Sequence, residues 1–124
     1  MPHQSKIGLL GEQIAAEFLS KKGFKILNKN FYTRGGEIDL VCLDKKTLVF
    51  VEVKSRGENS KGFGYEAITF NKLSKLKRAI YYFIKSYNAY YSNFRIDIVS
   101  VEFSTDKTFK NIKHYPNISS DDIK

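Results

Sequence analysis

Apolar residues recur at helical spacing in the first segment of the chain. The residues that share this face are Ile7, Leu10, Ile14, Phe18 and Leu19. Ser5 is suited to cap the first turn, and Gly23 after Lys21-Lys22 is a typical signal for a helix end. The pattern therefore predicts a first helix over about residues 6–22.

Three strand-like segments follow this helix. Residues 24–32 predict a short strand, and Arg34-Gly35-Gly36 predicts a turn. Residues 37–43 and 48–55 predict two strands joined as a hairpin. Because Val49-Phe50-Val51 is apolar on both faces, we expect the second hairpin strand to be central and covered on both sides.

A second helical stripe begins after a polar segment, residues 56–64, that predicts a loop. Its apolar members are Leu73, Leu76, Ile80, Phe83, Ile84 and Tyr87. They predict a helix over about residues 71–90. Alternation over residues 94–103 predicts another strand, and residues 107–115 predict an edge strand.

The predicted order of elements is α-β-β-β-α-β-(β), which defines the α/β class. A strand, a long helix and another strand imply a crossover to a parallel neighbour, whereas the hairpin is antiparallel. We therefore expect a mixed β-sheet flanked by helices. Residues 1–116 of the 124-residue chain are expected to form a single domain, and residues 117–124 a polar, frayed tail.

The chain is strongly basic, with 21 Lys and Arg residues, 13 Asp and Glu residues and a net charge of +8. This excess favours nucleic acid or an acidic membrane surface as a partner, although a basic protein can lack such partners. The single cysteine, Cys42, excludes an intramolecular disulfide and lies in an apolar run, where we expect it in the core. Because no secretory signal or membrane-spanning apolar stretch is found, a cytoplasmic location and no membrane insertion are expected.

Charged side chains interrupt the two hairpin strands at Asp39, Glu52 and Lys54. Burying such charges is costly unless something compensates them. A symmetric turn centred on Lys45-Lys46 opposes Asp39 to Glu52, and Glu37 to Lys54, with all four side chains on one face. Opposed carboxylates, with Cβ atoms about 5 Å apart, must share a proton, bind a cation or be separated by a bulge.

Two carboxylates with added waters suit Mg²⁺, and Mn²⁺ is its natural substitute. Such an ion polarises a phosphoryl oxygen, and a neighbouring lysine stabilises the developing charge, so Asp39, Glu52 and Lys54 predict phosphodiester hydrolysis. The alternative is an internal salt-bridge cluster without a metal, in which Lys54 offsets part of the repulsion. His3 and His114 lack ligand spacing, and we interpret both as surface residues.

Asp39 and Glu52-Val53-Lys54 resemble the motif of the PD-(D/E)xK nuclease superfamily, although no proline precedes Asp39. Over about residues 6–101 the chain also resembles the YraN family of uncharacterised small proteins, which are similar to archaeal-type Holliday-junction resolvases. The segments that carry this resemblance are Gly11-Glu12, Gly36-Glu37-Ile38-Asp39-Leu40, Phe50-Val51-Glu52-Val53-Lys54-Ser55-Arg56, Phe63-Gly64, Ala67, Lys72, Ala79 and Arg95-Ile96-Asp97.

The resemblance implies a restriction-endonuclease-like core and a Mg²⁺-dependent endonuclease acting on DNA. It also makes branched DNA a candidate substrate and a homodimer a candidate assembly, without deciding either. It also implies that Glu12, on the first helix, joins Asp39 and Glu52 as a metal ligand; the alternative is an ordinary solvated glutamate. Lys72, at the start of the second helix, matches a polar residue that helps complete the site in related families.

Several nearby charges have two interpretations each. Glu37 can tune Lys54 or act as a further ligand, or it can cap the Gly35-Gly36 turn. Arg34 and Arg56 flank the hairpin strands and are candidates to hold substrate phosphates, or they are solvated charges. Asp97 is expected either to anchor a neighbouring loop by a hydrogen bond or to take part in the chemistry.

The second helix carries cations that fit either a DNA-binding stripe or the wet face of an amphipathic helix: Lys75, Lys77, Arg78 and Lys85. The tyrosines at positions 81, 82, 87, 90 and 91 fit base stacking, partial burial or a dimer surface. Two functions therefore compete with a nuclease. One is a nucleic-acid-binding module that keeps the fold with little or no cleavage, and the other is a membrane-surface protein that uses the basic helix.

Overall fold

A mixed five-stranded sheet forms the centre of the structure, a computed structural model that describes residues 5–57, 69–87 and 93–118. The elements, in chain order, are α1 (Lys6–Lys21), β1 (Lys25–Thr33), β2 (Gly36–Asp44), β3 (Thr47–Gly57), α2 (Phe70–Ser86), β4 (Asn93–Phe103) and β5 (Phe109–Tyr115). The strands lie in the order β1-β2-β3-β4-β5, and β3 and β4 are parallel, whereas the other neighbours are antiparallel. The predicted mixed sheet, antiparallel hairpin and parallel crossover are confirmed.

Both ends of α1 agree with the sequence signals. The Ser5 hydroxyl oxygen accepts a hydrogen bond from the Gly8 N–H at 3.0 Å. After the helix, Gly23 takes a φ of 100°, and the Phe24 N–H donates to the Leu19 carbonyl oxygen at 3.0 Å. A left-handed residue of this kind ends a helix at low cost when it is glycine.

The second helix begins where predicted but ends earlier. The Thr69 hydroxyl oxygen caps it by accepting from the Lys72 N–H at 3.2 Å. At the other end the helix stops at Ser86, so the prediction that it continues through Tyr87 is wrong. The Tyr87 ring stacks on the Phe83 ring with centroids 4.6 Å apart, and the backbone turns at this residue. Residues 88–90 lie outside the described part of the chain.

The core has two halves, one on each face of the sheet. Leu73, Leu76, Ala79, Ile80 and Phe83 of α2 pack on one face, and Ala15, Ala16 and Leu19 of α1 pack on the other. The consecutive residues Leu48–Val51 of β3 are all buried, which confirms that this strand is central. Cys42 is buried as predicted, and burial, with the charge of Asp97, raises the pKa of its thiol to about 12.

The hairpin register agrees with the prediction in its first part and departs from it at Asp39. Leu43 opposes Leu48, and the described pairing continues to Leu40 and Val51, where it ends. The predicted pairs of Asp39 with Glu52 and of Glu37 with Lys54 are therefore absent from the ladder. β3 itself continues along β4 as far as Gly57. The two hairpin strands thus separate at Asp39, and we call this point the fork.

A local irregularity of β2 accompanies the fork. Ile38 packs with the α2 side of the core and Leu40 with the α1 side, although residues two apart normally share a face. On the other side of β2, the ladder with β1 skips Asn30 and Asp39, and Asn30 has a φ of 54°. A local break of this kind turns a side chain away from the regular pleat, and here that side chain is Asp39.

The turn before β2 lies directly against α2. A Cβ atom added at Gly36 would be 2.5 Å from the Lys75 carbonyl oxygen, which belongs to the helix backbone. We therefore expect Gly36→Ala to destabilise the fold by about 1–3 kcal/mol, because the turn or the helix must move. Gly57→Ala is the matched control, since no described atom lies within 4 Å of its added Cβ. Urea denaturation of both variants measures the difference, and equal midpoints would contradict the expected clash.

A polar network lies on the α1 side of the sheet, around the fully buried Asp97. Arg95 Nε donates to Asp97 Oδ1 at 3.0 Å, and His114 Nε2 lies 2.7 Å from Asp97 Oδ2. The side chain of His114 is only 7% exposed, so its interpretation as a surface residue is wrong. Phe18 and Phe24 enclose its ring, which the sequence spacing did not reveal. Burial alone would raise the pKa of Asp97, but its hydrogen bonds outweigh that effect and lower it.

The same carboxylate holds the segment that follows β5. The Asn117 N–H donates to Asp97 Oδ1 at 2.9 Å, which confirms that Asp97 anchors a neighbouring loop. The Ile118 N–H donates to the Ile96 carbonyl oxygen at 2.7 Å. The first two residues of the predicted tail are thus attached to the sheet, and residues 119–124 lie outside the described part.

The remaining loop prediction is corrected in its first two positions. Arg56 and Gly57 belong to β3, where they pair with β4, and residues 58–64 lie outside the described part. Within the described ranges, neither helix has the length and apolar character needed to cross a membrane.

Candidate active site

The fork brings the carboxyl groups of Asp39 and Glu52 together. Asp39 is 7% exposed, and its Oδ2 accepts a hydrogen bond from the Val53 N–H at 2.7 Å. This bond takes the place of a ladder bond and fixes the side chain against β3. A side-chain hydrogen bond also joins Asp39 to Glu52. The two acids therefore meet at the fork, beyond the end of the β2–β3 ladder and not as an opposed ladder pair.

The proximity of these acids changes their protonation. Burial, followed by the charge of Glu52, raises the pKa of Asp39 to about 9, although the Val53 N–H opposes the shift. Burial also raises the pKa of Glu52, whereas Lys72 opposes that shift. At neutral pH the pair consequently retains a proton, which the Asp39 carboxyl donates to Glu52. We call Asp39 and Glu52 the acid pair.

Lys72 is the ion-pair partner of Glu52. Its Nζ lies 3.5 Å from Glu52 Oε1, and it reaches the site from the first turn of α2. Lys54 lies on the same face of the sheet, where burial and the charge of Lys72 lower its pKa. Among the described residues, no ion pair joins Lys54 to Glu37, so the salt-bridge cluster considered from the sequence does not form in that way.

Glu12 approaches the acid pair from α1. It is 9% exposed, so its interpretation as an ordinary solvated glutamate is wrong. The preceding residue, Gly11, packs so closely on Ser55 that an added Cβ would overlap the Ser55 hydroxyl. Glu12 is near enough to contribute to the raised pKa of Asp39. In the described part of the chain, no three His, Cys, Asp or Glu side chains are grouped closely enough to form a metal site.

A cavity of about 400 Å³ opens beside the acid pair, between the β1–β2 turn and α2. Glu52 forms part of its wall, and the predicted site residues Arg34, Glu37 and Lys72 line it. Glu37 is exposed, and the Gly35-Gly36 turn is closed instead by Thr33, whose Oγ1 donates to the Gly36 carbonyl oxygen at 2.7 Å. The proposed capping role of Glu37 is therefore wrong.

Two further residues belong to the site region, Arg56, which was predicted, and Tyr32, which was not. Arg56 lies on β3, and its positive charge contributes to the lowered pKa of Lys54. Tyr32 lines the cavity and was not predicted as a site residue. It pairs with Glu37 across the β1–β2 hairpin, so the register of that turn was the signal that could have placed it here.

Fold and site together define the class of this protein: an α/β protein whose mixed sheet separates around an acid pair with lysines beside it. The chain belongs to the uncharacterised protein family UPF0102, which it matches over residues 11–101. A UPF0102 protein of Syntrophomonas wolfei subsp. wolfei is 42% identical over 112 residues, covering 90% of this chain and 96% of that relative. One from Caldanaerobacter subterraneus subsp. tengcongensis is 41% identical over 116 residues, covering 93% and 95%.

Proposed function

We propose that this protein is a metal-dependent endonuclease that hydrolyses phosphodiester bonds of DNA, built on the restriction-endonuclease-like core of the PD-(D/E)xK nucleases. The observation that carries the proposal is the acid pair, whose members share a proton at the fork. Lys54 and Lys72 lie beside it, and the whole chain has a net charge of +8. Acids placed against each other beside lysines suit a site where charge on a phosphate must be stabilised.

The chemistry of the acid pair fits a divalent cation. Two adjacent carboxyl groups, one buried and one partly buried, that hold one proton between them gain from exchanging that proton for a doubly charged ion. Carboxylate oxygens and water are the ligands that Mg²⁺ prefers, and Asp39 and Glu52 would hold it, with Glu12 near Asp39. When bound, Mg²⁺ polarises a phosphoryl oxygen and lowers the pKa of a coordinated water.

The side chains around the acid pair have separable tasks in this proposal. Val53 orients Asp39 through its N–H, and Glu52 is held from α2 by Lys72. Lys54 stabilises the charge that develops on the phosphate and orients the attacking water. Arg34 and Arg56 hold the flanking phosphates.

The exposed cations of α2 extend the contact along the DNA backbone: Lys75, Lys77, Arg78 and Lys85. Because phosphate contacts release counterions, binding should weaken steeply as salt increases.

The test is cleavage of labelled linear, flapped and branched DNA, with Mg²⁺ or Mn²⁺ and with EDTA as the control. Products are expected only when a divalent metal is present. Comparison of the cleavage rates on the three DNA forms also shows which of them is the preferred substrate. If none of them is cut with either metal at low salt, the nuclease proposal fails.

A second candidate is a DNA-binding module that does not cleave. It is favoured by one observation: without a metal, Glu52 already has Lys72 at 3.5 Å and Asp39 keeps its proton, so the acid pair is compensated. This function predicts salt-sensitive DNA binding that needs no metal and survives Asp39→Asn. Equal binding at low and high salt would exclude it.

A further inference from the structure

The cavity beside the acid pair is larger than a phosphate group requires. Its volume of about 400 Å³ lies in the range of small-molecule sites in proteins. Tyr32 lies on the sheet side and Leu76 on the α2 side, which gives the cavity an aromatic wall and an apolar wall. Leu76 is only 4% exposed and belongs to the core, so packing on the sheet holds this wall in place.

Positive charge surrounds the same space. Arg34 from the β1–β2 turn and Lys72 and Lys75 from α2 line the cavity, where they outnumber the two carboxylates, Glu37 and Glu52. These three cations would attract a phosphate, but a phosphate alone would leave the tyrosine and leucine walls without a partner. A purely apolar ligand would leave the cations unused. A nucleotide supplies both parts, since its base stacks on an aromatic ring and its phosphates pair with the cations.

Tyr32 also connects the cavity to the chemistry. Tyr32 faces Glu37 across the β1–β2 hairpin, two positions from Asp39 on β2, which places the ring near the acids at the fork. Glu52 belongs to both the acid pair and the cavity wall. A base held against Tyr32 would therefore have its own phosphate next to the acid pair.

We infer that this cavity receives one unpaired nucleotide of a DNA strand, adjacent to the phosphodiester bond at the acid pair. A base inside a regular duplex is stacked and cannot enter, so the site selects DNA that contains an unpaired nucleotide. The assignment of the neighbouring bond rests on the proposed function. The selection itself is a property of binding and is measurable without cleavage.

The experiment compares two fluorescently labelled duplexes of identical sequence, one fully paired and one with a single bulged adenine. Binding is measured by anisotropy in EDTA, which prevents metal-dependent cutting. Wild-type protein should bind the bulged duplex about tenfold more tightly, which is the size expected for one stacked base. Tyr32→Leu should remove this preference, whereas Tyr32→Phe should keep it because the ring remains.

Two further variants separate the cavity from general electrostatics. Arg34→Ala, in an exposed turn, should reduce the preference for the bulged duplex, and it gives a second test if Tyr32→Leu does not fold. Lys77→Ala is the matched control, since Lys77 is exposed on α2 and does not line the cavity. It should weaken binding of both duplexes by the same factor.

Equal affinities of wild-type protein for the two duplexes would overturn the inference, as would a preference that persists in both Tyr32→Leu and Arg34→Ala. Tight binding of deoxyadenosine monophosphate without a preference among duplexes would instead make the cavity a site for a free nucleotide. Failure of the nuclease proposal is recognised separately. In that case the bulged duplex is preferred in EDTA, but no DNA is cut with Mg²⁺ or Mn²⁺.

Discussion

Glu52→Gln is expected to lower the rate of metal-dependent DNA cleavage by at least about a hundredfold. The substitution keeps the shape of the side chain but removes the negative charge that opposes Asp39 and pairs with Lys72. The acid pair then offers a cation one carboxyl group instead of two. Single-turnover cleavage with Mn²⁺ at saturating protein measures the rate of the chemical step without a contribution from DNA affinity.

The control for this loss is Glu17→Gln, which replaces an exposed glutamate of α1 and changes the net charge by the same amount. Its cleavage rate should equal that of wild type. The affinity of Glu52→Gln for DNA in EDTA should stay within about twofold of wild type or increase slightly, because one negative charge near the DNA is lost. Cleavage by Glu52→Gln at the wild-type rate would remove the acid pair from the mechanism.

Asp39→Asn should make the metal-free protein more stable at pH 8 while abolishing metal-dependent cleavage. The folded protein holds a proton on Asp39 up to a pKa of about 9, whereas an unfolded aspartate releases it near pH 4. The contribution of protonated Asp39 to the free energy of unfolding of the wild type is therefore fully present below about pH 4. It is lost as pH rises through about 9. Asparagine imitates the protonated acid, since its oxygen can accept from the Val53 N–H and its amide can donate to Glu52.

The measurement is thermal unfolding from pH 5 to pH 9 in EDTA. The variant's advantage should be small at pH 5 and reach about 1 kcal/mol or more at pH 8, which corresponds to roughly 4 °C in melting temperature. Added Mn²⁺ should raise the melting temperature of wild type but not of Asp39→Asn. A variant less stable than wild type at pH 8 in EDTA would show that Asp39 is not held in its protonated form.

The sequence was sufficient to predict the elements and the start of the hairpin register. Ser5 and Gly23 predict the limits of α1 because capping is a local property. The alternation of apolar residues around Lys45-Lys46 predicts the pairing of Leu43 with Leu48, since a register slip would expose the core face. The same register predicts that Asp39 and Glu52 come close together, although the ladder ends one pair before them.

Tertiary contacts decided what the sequence could not. The ladder ends at Leu40 and Val51 because the Asp39 side chain accepts the hydrogen bond of the Val53 N–H. Strand propensity alone cannot predict a hydrogen bond of this kind. Glu52 pairs with Lys72 because of where α2 lies on the sheet, and sequence spacing favoured Lys54. His114 is buried by aromatic rings from a segment at the other end of the chain.

The sheet keeps two groups of charges apart although they are neighbours in register. Asp97 opposes Val51 and its network touches α1, while Glu52 opposes Ile98 and meets Lys72 of α2. The first group is fully hydrogen-bonded, whereas the second depends on one retained proton and on Lys72 for its compensation. A substitution can therefore remove a charge from the second group without disturbing the hydrogen bonds of the first. Relatives in which an amide replaces Asp39 should therefore keep this fold and resist heating at least as well as this chain.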